Sequence, residues 1–232
     1  MLSYGIIIGL CILFSIILKI VMTEKLKEIA KFKKRDDLDS ISKKLPNNTT
    51  ICHQILKKLK NEKVKIIEKQ DYGANLYVVY HNEIIITDKN EEYARLQTIA
   101  HECIHSTQSK KMLWFHFILS NISIIYYFVV LLLTIVGIIK APMLQIAVLL
   151  FLGLIHYAVR FFLEMDAMIR AEYLAKEYLA EDKNLKEEEK TKLLETYQKI
   201  NKIGIPYTHY TYLLKLFIKI ILYCIIAMIF VL

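Results

Sequence analysis

Four long apolar runs decide what this chain can fold into. They cover residues 2–22, roughly 119–139, roughly 143–162, and 213–232. A helix needs roughly 20 residues to cross the hydrocarbon core of a bilayer, and each run approaches that length. Only Ser3, Ser15 and Lys19 interrupt the first run, no Lys or Arg precedes it, and no small-x-small cleavage site follows it. It therefore reads as a retained anchor rather than a signal peptide. The fold class expected is a mainly α membrane protein with about four transmembrane helices.

The +8 net charge is placed as a topology signal. Residues 23–112 carry 18 Lys and Arg, whereas the head before Lys19 carries none and the link between the second and third runs offers only Lys140. The positive-inside rule then predicts a multi-pass cell-membrane protein with residues 23–118 and 163–212 in the cytoplasm and both termini outside. The predicted organisation is transmembrane helix 1 at 1–22, a cytoplasmic part at 23–118, a transmembrane hairpin at 119–162, a second cytoplasmic part at 163–212 and transmembrane helix 4 at 213–232. The soluble pieces are too interleaved with the spans to form separate domains. The bilayer is the partner this charge implies. Nucleic acid is excluded as a partner, because no recognition motif accompanies the basic residues. Nothing in the sequence specifies an oligomeric state.

Cys11, Cys52, Cys103 and Cys224 show no CxxC pairing, which argues against thiolate metal sites and a disulfide framework. The charged stretch 23–44 reads as a surface-lying helix, and Thr49 or Thr50 as the cap of a short helix running to about Lys60. Three β-prone runs follow at 64–67, 76–80 and 83–87, the last two flanking a hairpin turn at His81-Asn82. Asn90 reads as the N-cap of the next helix, with Glu91 and Glu92 in its first turn and its end near Ser109.

That helix carries His-Glu-Cys-Ile-His at 101–105, the common signature of a zinc peptidase. At about 100° per residue, Leu96, Ile99, Ala100, Cys103 and Ile104 form one apolar stripe. His101, Glu102 and His105 fall on the opposite side. Two histidines four residues apart can meet one Zn2+ ion. Glu102 can reach an activated water without ligating the metal, which is the position of a general base. Cys103 lies on the packing stripe and reads as core.

Catalytic zinc keeps three protein ligands and one open position. The extended pattern HExxHxxGxxH would need Gly at 108 and His at 111, where this chain has Gln108 and Lys111. The third ligand must then come from elsewhere. A hairpin of the second and third runs returns the chain to the side it left, so Glu164 is expected at the same membrane face as His105. Glu164 heads an inward stripe with Ala167, Met168, Ala171, Ala175 and Tyr178, whereas Asp166 is expected to point away. The competing role for Glu164 is a helix ion pair with Arg160, an order worth only a few tenths of a kcal/mol. Arg160 is expected to snorkel at the end of its span.

Ala100-His101-Glu102 with His105 and Gln108, then a membrane hairpin, then Glu164-Met165-Asp166-Ala167 and Arg170-Ala171, resembles the YugP-type bacterial membrane zinc metallopeptidases, whose pattern is close to AHExGHAxQ followed by EFDASRRA. Ile104, Ser106 and Met168 depart from the Gly, Ala and Ser usual in that family. The HtpX and CAAX-prenyl-protease group is similar in plan but carries Asp where this chain has Met168. The resemblance implies a zincin-like catalytic domain with a small β-sheet, zinc on His101, His105 and Glu164, and Glu102 as the catalytic residue.

The expected function is a zinc metalloendopeptidase hydrolysing peptide bonds of membrane-associated or cytoplasmic-face protein substrates. The 83–87 strand is a candidate for pairing with an extended substrate. His209, beside Tyr207 and Tyr210, and His156 inside a span are candidate auxiliary residues. An interfacial aromatic belt and a packing histidine are the plainer readings of these two. The rival function is a zinc-binding membrane scaffold without turnover. A transporter fits less well, because the spans carry few polar groups beyond His156 and Gln145.

Overall fold

The computed structural model describes residues 1–31, 35–70, 73–90 and 92–231, and no side chain in 29–31. Its elements are α1 (Leu2–Lys31), α2 (Asp36–Ser42), α3 (Asn48–Lys58), β1 (Lys65–Lys69), β2 (Leu76–Val78), β3 (Glu83–Thr87), α4 (Arg95–Thr107), α5 (Lys110–Ile135), α6 (Pro142–Glu181) and α7 (Glu187–Phe230). The protein is mainly helical with one small sheet. Among the described residues, α1, α5, α6 and α7 are long and apolar enough to cross a membrane.

The chain divides into two compact units. Unit one comprises Met1–Lys27, Phe115–Phe162 and the chain from Pro206 onward. Its core joins Cys11 of α1, Val130 of α5, Ile146 of α6, and Ile220, Tyr223 and Ala227 of α7. Between its helices Thr134 meets the Tyr223 hydroxyl at 3.1 Å and Tyr126 donates to Gln145 at 2.5 Å. A Cβ on Gly153 would stand 2.3 Å from a Leu216 methyl, so the absence of a side chain lets α6 approach α7 closely. The outward faces are apolar, with Phe14, Phe128, Phe151 and Ile229 all exposed. Bare surface of this kind requires an apolar solvent or a partner.

Unit two comprises Glu28–Trp114 and Leu163–Ile205. Its sheet has the order β1-β3-β2, with β1 parallel and β2 antiparallel to β3. β3 is thus the central strand, and both of its edges are taken. The expectation that it accepts a substrate strand is overturned. The hairpin is close to expectation: β2 stops at Val78, and Asn82 adopts φ 51 at the end of the turn. Ile84 and Ile86 of β3 are fully buried, as are Ile51 and Ile55 of α3 and Leu96, Ile99, Ala100 and Cys103 of α4. The predicted apolar stripe of α4 therefore faces the core.

The starts of the helices differ from expectation in an informative way. Asn47, not Thr49 or Thr50, caps α3, accepting from the Thr50 amide at 2.8 Å. Asn90 does act as a cap, but for α3: its Oδ1 accepts from the Asn48 amide at 2.9 Å. The first-turn amides of α3 need acceptors, and the return of the chain after β3 delivers one. Helix α4 begins at Arg95, without a side-chain cap. Glu91 lies outside the described residues.

Arg95 itself anchors that start. It is buried and donates to the carbonyls of Ser42, Leu45 and Pro46, to Ser42 Oγ and to Asn48 Oδ1. Burial lowers its pKa, and the five acceptors compensate its desolvated charge. The stretch expected to lie on the surface also contributes to the core, since Leu38 of α2 is buried.

Helices α6 and α7 are continuous through both units. No residue between 142 and 181 breaks α6, so Glu164 sits in mid-helix rather than near a helix start. Pro206 lies within α7 at the passage between units, where it removes one backbone donor.

Candidate metal centre

Helix α4 brings His101 and His105 one turn apart, with their Nε2 atoms 3.0 Å from each other. The second half of α6 brings Glu164 opposite them. Its Oε2 lies 3.3 Å from His101 Nε2 and its Oε1 3.7 Å from His105 Nε2. Among the described residues these three form the group of His, Cys, Asp and Glu able to hold a metal ion, with ligand atoms all within 4.8 Å.

The spacing suits a single small ion. A tetrahedral ion with bonds of about 2.0–2.1 Å places its ligand atoms about 3.3 Å apart, and the three observed separations bracket that edge. The donor set, two imidazoles and one carboxylate, is a borderline-soft set of the kind that binds zinc and its neighbours. The Glu164 side chain is 12% exposed, and a carboxylate so far from water gains strongly from an adjacent cation.

Gln108 fixes one of the imidazoles. Its amide nitrogen donates at 2.8 Å to two acceptors, the Leu163 carbonyl and Asp166 Oδ2. That pair leaves only one orientation for the amide, so Oε1 must face His105 Nδ1, 2.8 Å away. Nδ1 then carries the proton and Nε2 presents a lone pair to the site. Asp166, expected to point away, instead holds Gln108 and accepts from Arg170 at 3.4 Å. The reason lies in the backbone: Gln108 leaves the helical path with ψ 163 at the end of α4, which turns its side chain across to α6.

Glu102 stands on the same helix between the two histidines. Its Oε2 accepts the backbone amide of Tyr77 on edge strand β2 at 2.6 Å. The strand thus orients the carboxylate through an atom that no side-chain pattern reveals. A cavity of about 340 Å³ opens beside these groups, with His101, Glu102, Thr98, Asn75, Thr87 and Asn201 on its wall. Deeper in, Gln97 donates to Asn201 at 2.8 Å, and Asn201 donates to Glu172 and the Met168 carbonyl, tying α4, α6 and α7 together around the cavity.

Cys103 is no ligand. It is fully buried with its sulfur 3.6 Å from that of Cys52. Burial, reinforced by that neighbouring sulfur, holds its thiol well above the usual pKa, and the protonated thiol is a poor metal donor. All four cysteines are free.

The auxiliary candidates belong to unit one and have partners there. His156 Nε2 lies 3.2 Å from His116 Nε2, and His209 Nδ1 lies 2.9 Å from the Tyr157 hydroxyl with its ring packed on Phe161. The structure does not bring either of them into the three-residue group. Asp166 and the Tyr77 amide join the site beyond the residues that the sequence singles out. Only the i+3 position of Gln108 relative to His105 signals the first link to α6.

Comparison with known proteins adds no relative: no family model, no curated protein and no solved structure matches this chain.

Proposed function

We propose that the protein is a membrane zinc peptidase in which His101, His105 and Glu164 hold the metal and Glu102 is the general base. The observation that carries this reading is the convergence of three ligand atoms at 3.0–3.7 Å, with His101 and the neighbouring Glu102 on the wall of a 340 Å³ cavity. A metal-only structural site has no need of either the adjacent carboxylate or the open cavity. The helix bearing two ligands, packed against a small sheet with an edge strand beside it, supports a zincin-like arrangement for unit two.

Bound by His101, His105 and Glu164, zinc would supply a Lewis acid for a peptide carbonyl and would make a water a better nucleophile. Glu102 takes the water's proton and passes it to the leaving amine. The Tyr77 amide holds Glu102 Oε2 in place, so the carboxylate loses little orientational freedom when it acts. Gln108 keeps His105 in the tautomer that offers Nε2. The strand edge beside Glu102 is that of β2, and the cavity next to it is the space this reading assigns to an extended peptide. The substrates of this reading are protein segments at the membrane surface, and the positive-inside pattern supports a site on the cytoplasmic side with both termini outside.

Purified full-length protein tests this reading. It should carry one equivalent of zinc and cleave casein or itself, and Glu102→Gln should keep the zinc but lose at least about a hundredfold in rate. Wild-type cleavage by Glu102→Gln would refute the mechanism. A zinc-bearing wild type without proteolysis of any membrane or soluble protein favours the scaffold reading.

A further inference from the structure

Two buried amides fix the chemistry at the inner end of the cavity beside Glu102. Gln97 of α4 and Asn201 of α7 both line it, and they are only 6% and 4% exposed. Asn201 Nδ2 donates to the Met168 carbonyl and to Glu172 Oε2. Its Oδ1 therefore faces α4, where it accepts from Gln97 Nε2 at 2.8 Å. The same Gln97 nitrogen also donates to the Tyr197 carbonyl at 3.4 Å. All four amide hydrogens are committed, so each amide has one orientation. Gln97 Oε1 is left over. Among the described residues no donor meets it. A buried acceptor is costly to leave unpaired, and this one is on the wall of a cavity from which a donor can be supplied.

Gln97 precedes His101 by four residues on α4. The two therefore share one helix face, about 6 Å apart along the axis. A side chain extending four or five bonds from its Cα spans roughly 5–6 Å. Glutamine and lysine have that reach from the metal face, whereas serine and asparagine fall short. Helices α6 and α7 add Met168, Ala171 and Ile200 to the wall, which suits a methylene stem. The Met168 methyl rests against Gly204, where a Cβ would stand 2.8 Å from it. Lys89 and Glu92, also on the wall, are exposed and opposite in charge. The Arg95 guanidinium is turned away, towards residues 42–48. A carboxylate tip would find no donor at the two amides and would meet the charge of Glu172 behind Asn201.

From this arrangement we infer that the cavity is a specificity pocket for a substrate residue with an apolar stem and an N–H donor at its tip, glutamine or lysine, and that Gln97 Oε1 selects it. The inference rests on the peptidase reading above and names the substrate class for that site. A pocket built around a hydrogen bond rejects the analogue that lacks it, because its own polar group is then left unpaired. Methionine has the length of glutamine without a donor, and glutamate has its shape with a carboxylate.

The test uses full-length protein in a neutral detergent and two series of dye-labelled peptides. In one series the variable residue stands directly before a central bond, and in the other directly after it. The variable residue is glutamine, lysine, methionine or glutamate. Cleavage is measured with the wild type, and binding by fluorescence anisotropy with Glu102→Gln. In one of the two series glutamine should exceed methionine and glutamate by at least about tenfold, both in kcat/KM and in affinity. Lysine against glutamine then tells which donor fits better. Gln97→Leu should bring the ratio of glutamine to methionine close to one. A ratio near one in both wild-type series, or a preference that survives Gln97→Leu, overturns the proposal. Selective binding without cleavage would refute the peptidase and leave the pocket standing, and cleavage without selectivity would do the reverse. No binding of any peptide overturns the pocket as well. Should Gln97→Leu fail to fold, the ratio of glutamine to methionine in the unsubstituted pocket decides.

Discussion

The Nδ1–H of His105 donates to Gln108 Oε1 at 2.8 Å, and Gln108 is itself held by Asp166 and the Leu163 carbonyl on α6. One amide thus links the helix that carries two imidazoles to the helix that carries the carboxylate. Outer partners of this kind typically contribute 10–100-fold to metal affinity. Gln108→Leu should therefore weaken zinc binding by about 10–100-fold in a competition titration against a chromophoric chelator. Gln108→Glu keeps an acceptor for His105 but sets a carboxylate against Asp166 and the Leu163 carbonyl, so it should not restore wild-type affinity. Equal affinity in all three forms would show that the link has no effect on the metal.

Glu164→Gln keeps the shape of the candidate third ligand and removes its charge. Zinc per chain should fall well below one after dialysis, because loss of a direct ligand costs more than loss of an outer partner, which is itself about 10–100-fold. The same substitution should leave the helical content unchanged by circular dichroism, since Glu164 is in mid-helix. A full equivalent of tightly held zinc in this variant would exclude Glu164 as a ligand.

Arg95 makes five hydrogen bonds to residues between Ser42 and Asn48. Arg95→Met removes the charge but leaves three carbonyls, a hydroxyl and an amide oxygen without their donor. Each buried acceptor left unsatisfied costs about 1–3 kcal/mol before water reaches it. A loss of at least about 3 kcal/mol is expected, together with weakened zinc binding, because α4 begins at this residue. A melting temperature within a degree of wild type would contradict this role.

Cys52 and Cys103 are both fully buried, and burial raises the Cys103 pKa. A raised thiol pKa favours the neutral form in the folded chain, so any stability linked to it is present below about pH 8.5, the value of a free thiol, and is lost as pH rises beyond it. Maleimide at pH 7.5 should leave both thiols unmodified in the native protein and label both after unfolding. Rapid native labelling of either, detected by peptide mass mapping, would show that α3 and α4 separate readily.

The features legible in the amino-acid sequence are those set by local spacing. Four apolar runs long enough to cross a bilayer must become helices, because an unpaired backbone in hydrocarbon is too costly, and α1, α5, α6 and α7 arise from them. The i, i+4 spacing of His101 and His105 puts their rings together by helix geometry alone. The stripe from Leu96 to Ile104 separates the buried face of α4 from its histidine face, and those residues are at most 2% exposed.

Contacts between distant segments were not legible in the same way. Asn90 reads as the cap of the helix that follows it, yet it caps α3, since the choice between two orphan helix starts depends on where the chain returns after β3. The run 83–87 reads as an available strand, yet pairing on both sides makes it central, and strand order is a tertiary property. Gln108 and Asp166 meet because α4 ends in an extended residue while α6 passes through without a break. The identity of the candidate donors is thus written in side-chain type and helical period. The convergence of Glu164, Gln108 and the Tyr77 amide on that helix face depends on packing, because these are hydrogen-bond and charge contacts between elements that no local period relates.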